Sequence, residues 1–353
     1  MLKLRSMPGR CVTGRARATS GPRDPGGDSD RKVHVRAGSL SARTRLTWAI
    51  AIAALIVPGC ADEPASPVSE QPPEEPVPPP GEPPPEEPPP EEPPPAGSEI
   101  FVGAGDIAGC TTRFHDEATA DLLDGIDGTI FALGDNVQGP GTAEDFANCY
   151  HPTWGRHKAR TWPAVGNHEY NVPGAEPHFE YWGERAGPAG KGYYSYDLGS
   201  WHIVVLNSNI LFEEQSDWLA ADLAASPSAC TLAYWHHPYF TSSAYRGPEE
   251  LGRFVEILHR AGAEVVLTGH AHGYERFAPQ TPEGEADERG IRHFVVGTGG
   301  APFHPFKRTK PNSEVRALTY GVLRLELFPD RYTWEFVPVE GETFTDEGEG
   351  RCH

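Results

Sequence analysis

The chain has 353 residues, of which 50 are acidic and 30 are basic, so its formal net charge at pH 7 is −20. An acidic surface of this kind repels polyanions, which argues against nucleic acid as a natural partner. The length alone would allow two domains, but the first quarter does not have the composition of a folded domain, because it is basic and rich in Gly, Ser and Arg at its start and rich in Pro and Glu toward its end.

The first predicted element is an export signal. Residues 46–57, LTWAIAIAALIV, form an apolar run that is too short to span a bilayer and suits the core of a signal peptide. The run leads into VPGC, where Cys60 resembles the cysteine of a bacterial lipobox; a free or core cysteine is the alternative. We therefore expect residues 1–60 to be a basic leader with a lipoprotein-type signal peptide. An exported protein, held at a membrane through a lipidated Cys60, follows from this prediction.

Residues 61–97 form a predicted disordered linker. They include the run EEPPPEEPPPEEPPP, and polyproline II at about 3.1 Å per residue would make the segment a spacer of roughly 100 Å. The remaining residues, 98–353, are numerous enough for one large core. This predicted domain carries 19 basic and 37 acidic residues, so most of the acidic excess belongs to it.

Short apolar runs that end near glycine recur along the predicted domain and indicate buried strands. They lie at 99–106, 129–136, 161–169, 201–209, 230–238, 263–272 and 291–300. Helical patterns lie between several of them, in DEATADLLDGI, EEQSDWLAADLAAS and PEELGRFVEILHRAGA. Two alternating runs, 320–328 and 331–339, predict a hairpin near the end. Strands that alternate with helices predict an α/β fold with buried sheets.

Polar side chains follow these strands where the carboxyl edge of an α/β sheet forms its binding crevice. They are Asp106, Asp135, Asn167, His168, His236, His270 and His272. Carboxylates, an amide and imidazoles suit a pair of borderline divalent or trivalent ions, and one carboxylate can bridge two such ions. A water held between the ions would be acidic enough to attack phosphorus as hydroxide.

Five motifs in order resemble those of calcineurin-like metallophosphoesterases. They are GDI at 105–107, GDN at 134–136, GNHE at 166–169, HHP at 236–238 and GHAH at 269–272. The longer strings GNHEY, GHAHGYER and GTGG resemble the purple-acid-phosphatase-like branch. The resemblance implies a four-layer α/β/β/α sandwich of two mixed sheets flanked by helices. It also implies that 98–353 is the catalytic domain of a metal-dependent phosphoric ester hydrolase.

The resemblance assigns roles to the strand-end residues. The implied metal ligands are Asp106 and His272 for the first ion, Asn167, His236 and His270 for the second, and Asp135 for both. His168 would face the substrate, where it would stabilise developing charge or protonate the leaving oxygen. Arg246, in the loop TSSAYRGPEE, is a candidate contact for a substrate phosphate, with a solvated loop arginine as the alternative.

Two positions depart from the family pattern. The wider family often has histidine two residues after the first Asp, where this chain has Ala108, and the purple branch has tyrosine where this chain has Gln138. The amide oxygen of Gln138 or a water could fill the place, and without a tyrosinate we expect no purple colour. The first ion should bind more weakly, and Fe, Mn and Zn all stay open.

The expected function is the hydrolysis of small phosphomonoesters. Phosphodiesterase action on nucleotides or other small diesters is an alternative within the same chemistry. A surface binding protein of the same fold that has lost turnover is a second alternative, motivated by Ala108 and Gln138.

Cysteine usage agrees with export. The predicted domain has four cysteines, an even number behind an export signal, so disulfides are expected. Of the three possible pairings we favour Cys110 with Cys149 and Cys230 with Cys352, because the first pair would join two loops that each follow a candidate ligand. Zinc binding is disfavoured, since none of the four lies in a CxxC pair.

Overall fold

A computed structural model describes residues 97–188, 190–210 and 212–353. The predicted signal peptide, Cys60 and almost all of the predicted linker lie outside these residues. Among the residues that are described, no helix is both long enough and apolar enough to cross a membrane.

The strands follow the predicted apolar runs. In chain order they are β1 (Glu99–Ala104), β2 (Thr129–Leu133), β3 (Thr161–Ala164), β4 (Tyr194–Leu198), β5 (Trp201–Val205), β6 (Cys230–Tyr234), β7 (Val265–Thr268), β8 (Tyr274–Phe277), β9 (Arg292–Val296), β10 (Ser313–Ala317), β11 (Gly321–Leu327), β12 (Arg331–Pro338) and β13 (Glu347–Arg351). The predicted hairpin is β11 and β12, which pair antiparallel from Gly321 with Pro338 to Leu327 with Tyr332. Short strands β8, β10 and β13 were not among the sequence predictions.

Two mixed sheets result. The first has the order β13-β12-β11-β1-β2-β3, with β1, β2 and β3 parallel and the other three added antiparallel. The second has the order β10-β8-β9-β7-β6-β5-β4, with β5, β6, β7 and β9 parallel. All strands that precede the GDI, GDN, GNHE, HHP and GHAH motifs are therefore in parallel sets, and their carboxyl ends share an edge.

Three of the α-helices in the described residues match the predicted patterns, namely the first, fourth and fifth in chain order, whereas the second and third were not predicted. The α-helices are α1 (Asp116–Asp124), α2 (Ala143–Asp145), α3 (Glu176–Trp182), α4 (Phe212–Ala225) and α5 (Leu251–Ala261). A π-helical turn, Phe146–Tyr150, continues α2. Helix α5 ends at Gly262, whose φ of 79° is left-handed and suits a residue without a side chain.

The main core lies between the two sheets. Phe101 of β1 and Phe131 of β2 pack against Tyr234 of β6, with ring centroids 6.0 and 6.3 Å apart. The alternate residues of the second sheet, such as Ala233 and Val266, instead join a separate buried cluster with α4 and α5. Since side chains alternate across a strand, the central strands of the second sheet are buried on both faces. The predicted sandwich of two mixed sheets with helices outside is confirmed.

Both favoured disulfides are present. Cys110 bonds Cys149 across 39 residues, and Cys230 bonds Cys352 across 122 residues. The first joins the segment after β1 to the π-helical turn after α2, and the second joins the start of β6 to the residue after β13. Each bond thus fixes a loop or strand end against a distant part of the chain.

Candidate metal centre

Four of the candidate ligands occupy the same position relative to their strands. Asp106, Asp135, His236 and His270 each lie two residues beyond the end of β1, β2, β6 and β7. The φ angles of Asp106, Asp135 and His270 are 60°, 47° and 65°, in the left-handed region that non-glycine residues seldom adopt. Strained backbone of this kind clusters at functional sites, where the surrounding structure holds it in place.

Glycines let the strand ends approach each other. Gly134 has a φ of 82°, and a Cβ there would lie 2.8 Å from the Cβ of His236. A Cβ on Gly166 would lie 2.1 Å from the amide nitrogen of Asp135. The glycines of the GDN and GNHE motifs are therefore required by close packing at this edge.

The donor atoms of one group surround the Nε2 atom of His236. This nitrogen lies 3.1 Å from Asn167 Oδ1, 3.2 Å from Asp135 Oδ2 and 3.2 Å from His270 Nδ1. Ligand atoms bound to one ion at about 2.0–2.2 Å are separated by roughly 3.0–3.4 Å, so this spacing fits a coordination shell.

A second group forms around the carboxylate of Asp106. Its Oδ1 lies 3.3 Å from His272 Nε2, and its Oδ2 accepts the backbone N–H of His270 at 2.7 Å. The side-chain amide of Gln138 donates to Asp106 Oδ1 and to Asp135 Oδ2, both at 3.4 Å. Gln138 thus reaches both carboxylates, whereas Ala108 contributes only a buried methyl group.

Backbone carbonyls orient two of the imidazoles. His236 Nδ1 donates to the carbonyl of Leu133 at 2.8 Å, and His272 Nδ1 donates to the carbonyl of Pro302 at 2.7 Å. With the proton fixed on Nδ1, the Nε2 atom of each ring faces the carboxylates. A carbonyl behind the ring is the usual support of a metal-binding histidine.

The electrostatics of the centre favour a cation at its middle. Burial alone would raise the pKa of the Asp135 carboxyl, but the charge and hydrogen bond of His236 outweigh it and lower the pKa to about 2. Burial would likewise lower the pKa of His236, but Asp135 outweighs it and raises the pKa to about 9. A proton on His236 supplies positive charge here, and a metal ion would supply more.

His168 lies at the border of the cluster. Its backbone N–H donates to Asp135 Oδ1 at 2.8 Å, and its ring Nδ1 bonds the carbonyl of Gly139 at 2.9 Å. The other ring nitrogen is 3.8 Å from Asp135 Oδ2, and 34% of the side chain is exposed. The ring therefore combines a fixed orientation with access from solvent.

Glu169 organises the first sheet's loops, a role that the sequence analysis did not assign. Its buried carboxylate accepts backbone N–H groups from Gly166 at 2.6 Å, Asp135 at 3.1 Å and Val137 at 3.2 Å. Its pKa is raised to about 7, first by burial and then by the charge of Asp135. The E of GNHE thus joins the GDN and GNHE loops, as its position beside the candidate ligand Asn167 and the candidate proton donor His168 could have suggested.

His237 and His304 also lie at the centre. The His237 ring is 4.4 Å from the His270 ring and bonds Ser208 Oγ at 2.8 Å, so it lies beside a candidate ligand. His304 stacks on His272 with centroids 3.7 Å apart and planes at 11°. Nothing in its local sequence, APFHPF, signals this contact.

Other candidate residues lie outside the donor cluster. Arg246 is exposed, and its guanidinium lies 5.8 Å from the ring centroid of Tyr239. Glu275 and Arg276 follow the GHAH motif but do not form an ion pair with each other. The Glu275 carboxylate instead holds Ser242, while Arg276 pairs with Asp346.

The architecture and donor set together define a class of protein. Two facing mixed sheets carry oxygen and nitrogen donors on converging parallel strand ends, as expected for a metallophosphoesterase. The family model that matches residues 101–274 is described as calcineurin-like phosphoesterase. The fold, the donor set and this match together support a metallophosphoesterase that is similar to purple acid phosphatases.

Relatives with curated names support the similarity to purple acid phosphatases. The chain is 30% identical over 195 residues to purple acid phosphatase 15 of Arabidopsis thaliana, covering 45% of this chain and 36% of that protein. It is 30% identical over 214 residues to purple acid phosphatase 21 of the same plant, covering 55% and 48%. The aligned part is thus less than half the length of each of these relatives.

Solved structures show the same fold. The purple acid phosphatase PPD1 from yellow lupin (Lupinus luteus) seeds superposes with a TM-score of 0.56 at 19% identity. The match covers 72% of this chain and 54% of that one.

Proposed function

We propose that this protein hydrolyses small phosphomonoesters in a metal-dependent reaction, as an acid-phosphatase-like enzyme. The observation that carries the proposal is the cluster around His236 Nε2, in which three further donor atoms lie at 3.1–3.2 Å. Side chains from four strand ends meet there, and no need of the fold itself explains buried charge at this point.

The residues divide into two ligand sets. Asp106 and His272 would hold one ion, Asn167, His236 and His270 would hold the other, and Asp135 would contact both. A pair of Fe, Mn or Zn ions supplies an activated water and charge neutralisation at phosphorus when bound. The carbonyls of Leu133 and Pro302 orient the rings of His236 and His272, so that the Nε2 atom of each would be available to a bound ion.

His168 would act on the leaving group. The carbonyl of Gly139 holds its Nδ1 proton, so its exposed Nε2 can carry a proton toward the leaving oxygen. The same ring, when protonated, would stabilise the negative charge that develops on a phosphoryl oxygen.

The test of monoester preference compares 4-nitrophenyl phosphate with bis(4-nitrophenyl) phosphate. Both release the same chromophore, so a ratio of kcat/KM reports preference without a change of leaving group. We expect the monoester to be favoured, and activity to vanish with a chelator and return with Mn²⁺, Fe or Zn²⁺. A preference for the diester supports the alternative of diesterase action. No turnover with any of these metals contradicts both.

The first ion lacks the histidine and the tyrosine that the family uses. Gln138 lies 3.4 Å from both carboxylates and could supply an amide oxygen after rotation of its amide. We expect weak occupancy of this first site and no visible charge-transfer band after loading with Fe. The alternative of a fold that has lost turnover rests on the same two positions, Ala108 and Gln138.

Export and lipidation belong to this proposal as well. The apolar run at 46–57 and the cysteine of VPGC motivate them, and two disulfides are typical of proteins that fold outside the reducing cytosol. Metabolic labelling with palmitate in a bacterial host should mark the wild-type chain, and Cys60→Ser should remove the label. Equal labelling of both chains would contradict the assignment of Cys60.

A further inference from the structure

Two neighbouring loops beside the metal centre carry a basic rim. We define this rim as Arg246, Lys307, Arg308 and Lys310, all of which are exposed. The first residue lies between β6 and α5, and the other three lie between β9 and β10.

Backbone hydrogen bonds hold the two loops together. The carbonyl of Ser242 accepts the N–H of Lys307 at 2.9 Å and that of Arg308 at 3.3 Å, and Ser242 Oγ accepts the N–H of Lys310 at 3.0 Å. Glu275, fully buried, accepts the N–H of Ser242 at 2.7 Å and its hydroxyl at 2.5 Å. The backbone beneath the rim is therefore fixed by hydrogen bonds, although the cationic side chains of the rim are exposed.

An aromatic stack connects the rim to the centre. The backbone N–H of His304 donates to the carbonyl of His272 at 3.0 Å, and its ring lies on the His272 ring. Tyr245 covers the other side of His304 with centroids 3.8 Å apart, and 45% of it is exposed. Arg246 follows Tyr245 directly, and Lys307 lies three residues after His304, so the rim begins next to a candidate metal ligand.

The charge of the rim is unusual for this chain. Residues 98–353 have about half as many basic as acidic residues, 19 against 37. Yet neither 231–248 nor 301–313 contains an Asp or Glu. Within the described part of the chain, none of the four rim cations has a carboxylate within 4.0 Å, whereas Lys191, Arg253 and Arg331 each do.

We propose that the basic rim binds a second anionic group of the substrate, and that the preferred substrates are small molecules with two or more phosphates. The inference rests on the proposed function, because it takes the scissile phosphate to lie at the donor cluster. A monoanionic or dianionic group at the ions needs no further cations. Four cations that no acidic neighbour offsets can instead neutralise phosphates that remain outside, and attract them through an otherwise acidic field.

The kinetic experiment compares glucose 6-phosphate with glucose 1,6-bisphosphate in the metal-loaded full chain. We expect the wild type to favour the bisphosphate at least tenfold in kcat/KM at low salt, and this preference to fall as KCl is raised. The triple variant Lys307→Ser, Arg308→Ser, Lys310→Ser should reduce the preference to less than threefold.

A matched control removes the same charge elsewhere. Arg253→Ser, Arg260→Ser and Arg289→Ser together also delete three exposed cations, but from helix α5 and the segment before β9. This control should keep the wild-type preference. An equal loss in both triple variants, or a wild type with no preference, would overturn the inference.

A binding measurement separates failure of the rim from failure of the proposed function. Calorimetry with inorganic tripolyphosphate should show at least tenfold weaker binding to the rim variant than to the control. If tripolyphosphate binds in this rim-dependent way while neither sugar phosphate is hydrolysed, the rim stands and the proposed hydrolysis fails. If both sugar phosphates are hydrolysed and tripolyphosphate binds equally to all three proteins, the rim inference fails alone.

Discussion

The two sheets contribute different chemistry to the candidate centre. The first sheet supplies the oxygen donors, Asp106, Asp135 and Asn167, which follow β1, β2 and β3. The second supplies the nitrogen donors, His236, His270 and His272, which follow β6 and β7. A carboxylate set alone would suit hard ions and an imidazole set alone softer ones, so the mixed site exists only where the sheets face each other.

Contacts across the sheets hold this arrangement. The N–H of His270 reaches Asp106 Oδ2 at 2.7 Å, and the ring of His236 reaches the carbonyl of Leu133 at 2.8 Å. Farther away, the indole N–H of Trp201 donates to the carbonyl of Phe328 at 2.7 Å. The geometry of the centre therefore depends on how the two sheets pack against each other.

The largest expected effect comes from removing one donor from each sheet. Asp135→Ala and His270→Ala should each lower kcat/KM for 4-nitrophenyl phosphate by more than the roughly 10²- to 10⁴-fold cost of losing a general acid, because each opens an ion site. Steady-state assays with saturating metal measure this, with circular dichroism as the check on folding. Parent-like activity in either variant would show that the replaced residue is not an essential ligand.

The first sheet supplies oxygen donors and the second supplies imidazoles, and His168 is the exception because its imidazole follows a strand of the first sheet. His168→Ala should lower kcat by about 10²-fold or more, while metal content stays at the wild-type level. The split between turnover and metal content distinguishes a proton donor from a ligand. Loss of metal together with activity would place His168 among the ligands instead.

Glu169 has the next largest effect, because it fixes the oxygen donors of the first sheet only. Glu169→Gln replaces an acceptor of backbone N–H groups by an NH₂ group, and we expect metal affinity or activity to fall about 10- to 100-fold. Titration of metal into the apoprotein measures the affinity.

Glu264 provides the matched control. It is also buried, has a pKa raised to about 7 chiefly by burial, and accepts the N–H groups of Thr231 at 2.7 Å and His353 at 3.1 Å. Glu264→Gln should cost stability without changing metal affinity. Equal affinity losses in both variants would mean that the effect of Glu169 is merely a loss of folding stability.

The smallest effect concerns the outer face of the second sheet. His202 bonds Asp222 on α4 at 2.8 Å and Asp197 on β4 at 3.1 Å, and the hydrogen bond to Asp222 is the main reason that its pKa is raised. Its charge thus stabilises the fold below pH of about 6.5, and this contribution is lost as pH rises through the raised pKa. His202→Gln should cost about 1 kcal/mol at pH 5.5 and less at pH 8.5, as measured by urea unfolding. A cost that is independent of pH would contradict this.

Much of the fold followed from patterns that are local in sequence. The β-branched runs, the helical spacing from Leu251 to Leu258 and the turn after Leu327 each specify their element within a few residues. The short strands β10 and β13 escaped prediction because they lie at sheet edges and carry no continuous apolar run. Their assignment depends on tertiary contacts.

The candidate centre divides in the same way. Its donors were predictable because motif, strand end and residue chemistry agree at Asp106, Asp135 and His270. The residues that support these donors were not predictable from the sequence. Glu169 bonds segments that are distant from it in sequence, and His304 lies in no motif. Tertiary packing determines which loops lie beside the centre, and local sequence patterns do not report it.

The most direct test of the central claim is a count of metal ions per chain. Purified protein, loaded in turn with Mn²⁺, Fe or Zn²⁺ and freed of excess metal, would be analysed by inductively coupled plasma mass spectrometry. We predict between one and two ions per wild-type chain with at least one of these metals, because the first site binds its ion weakly, and fewer than one in His270→Ala. Fewer than one ion per wild-type chain with every metal would contradict a centre built from both sheets.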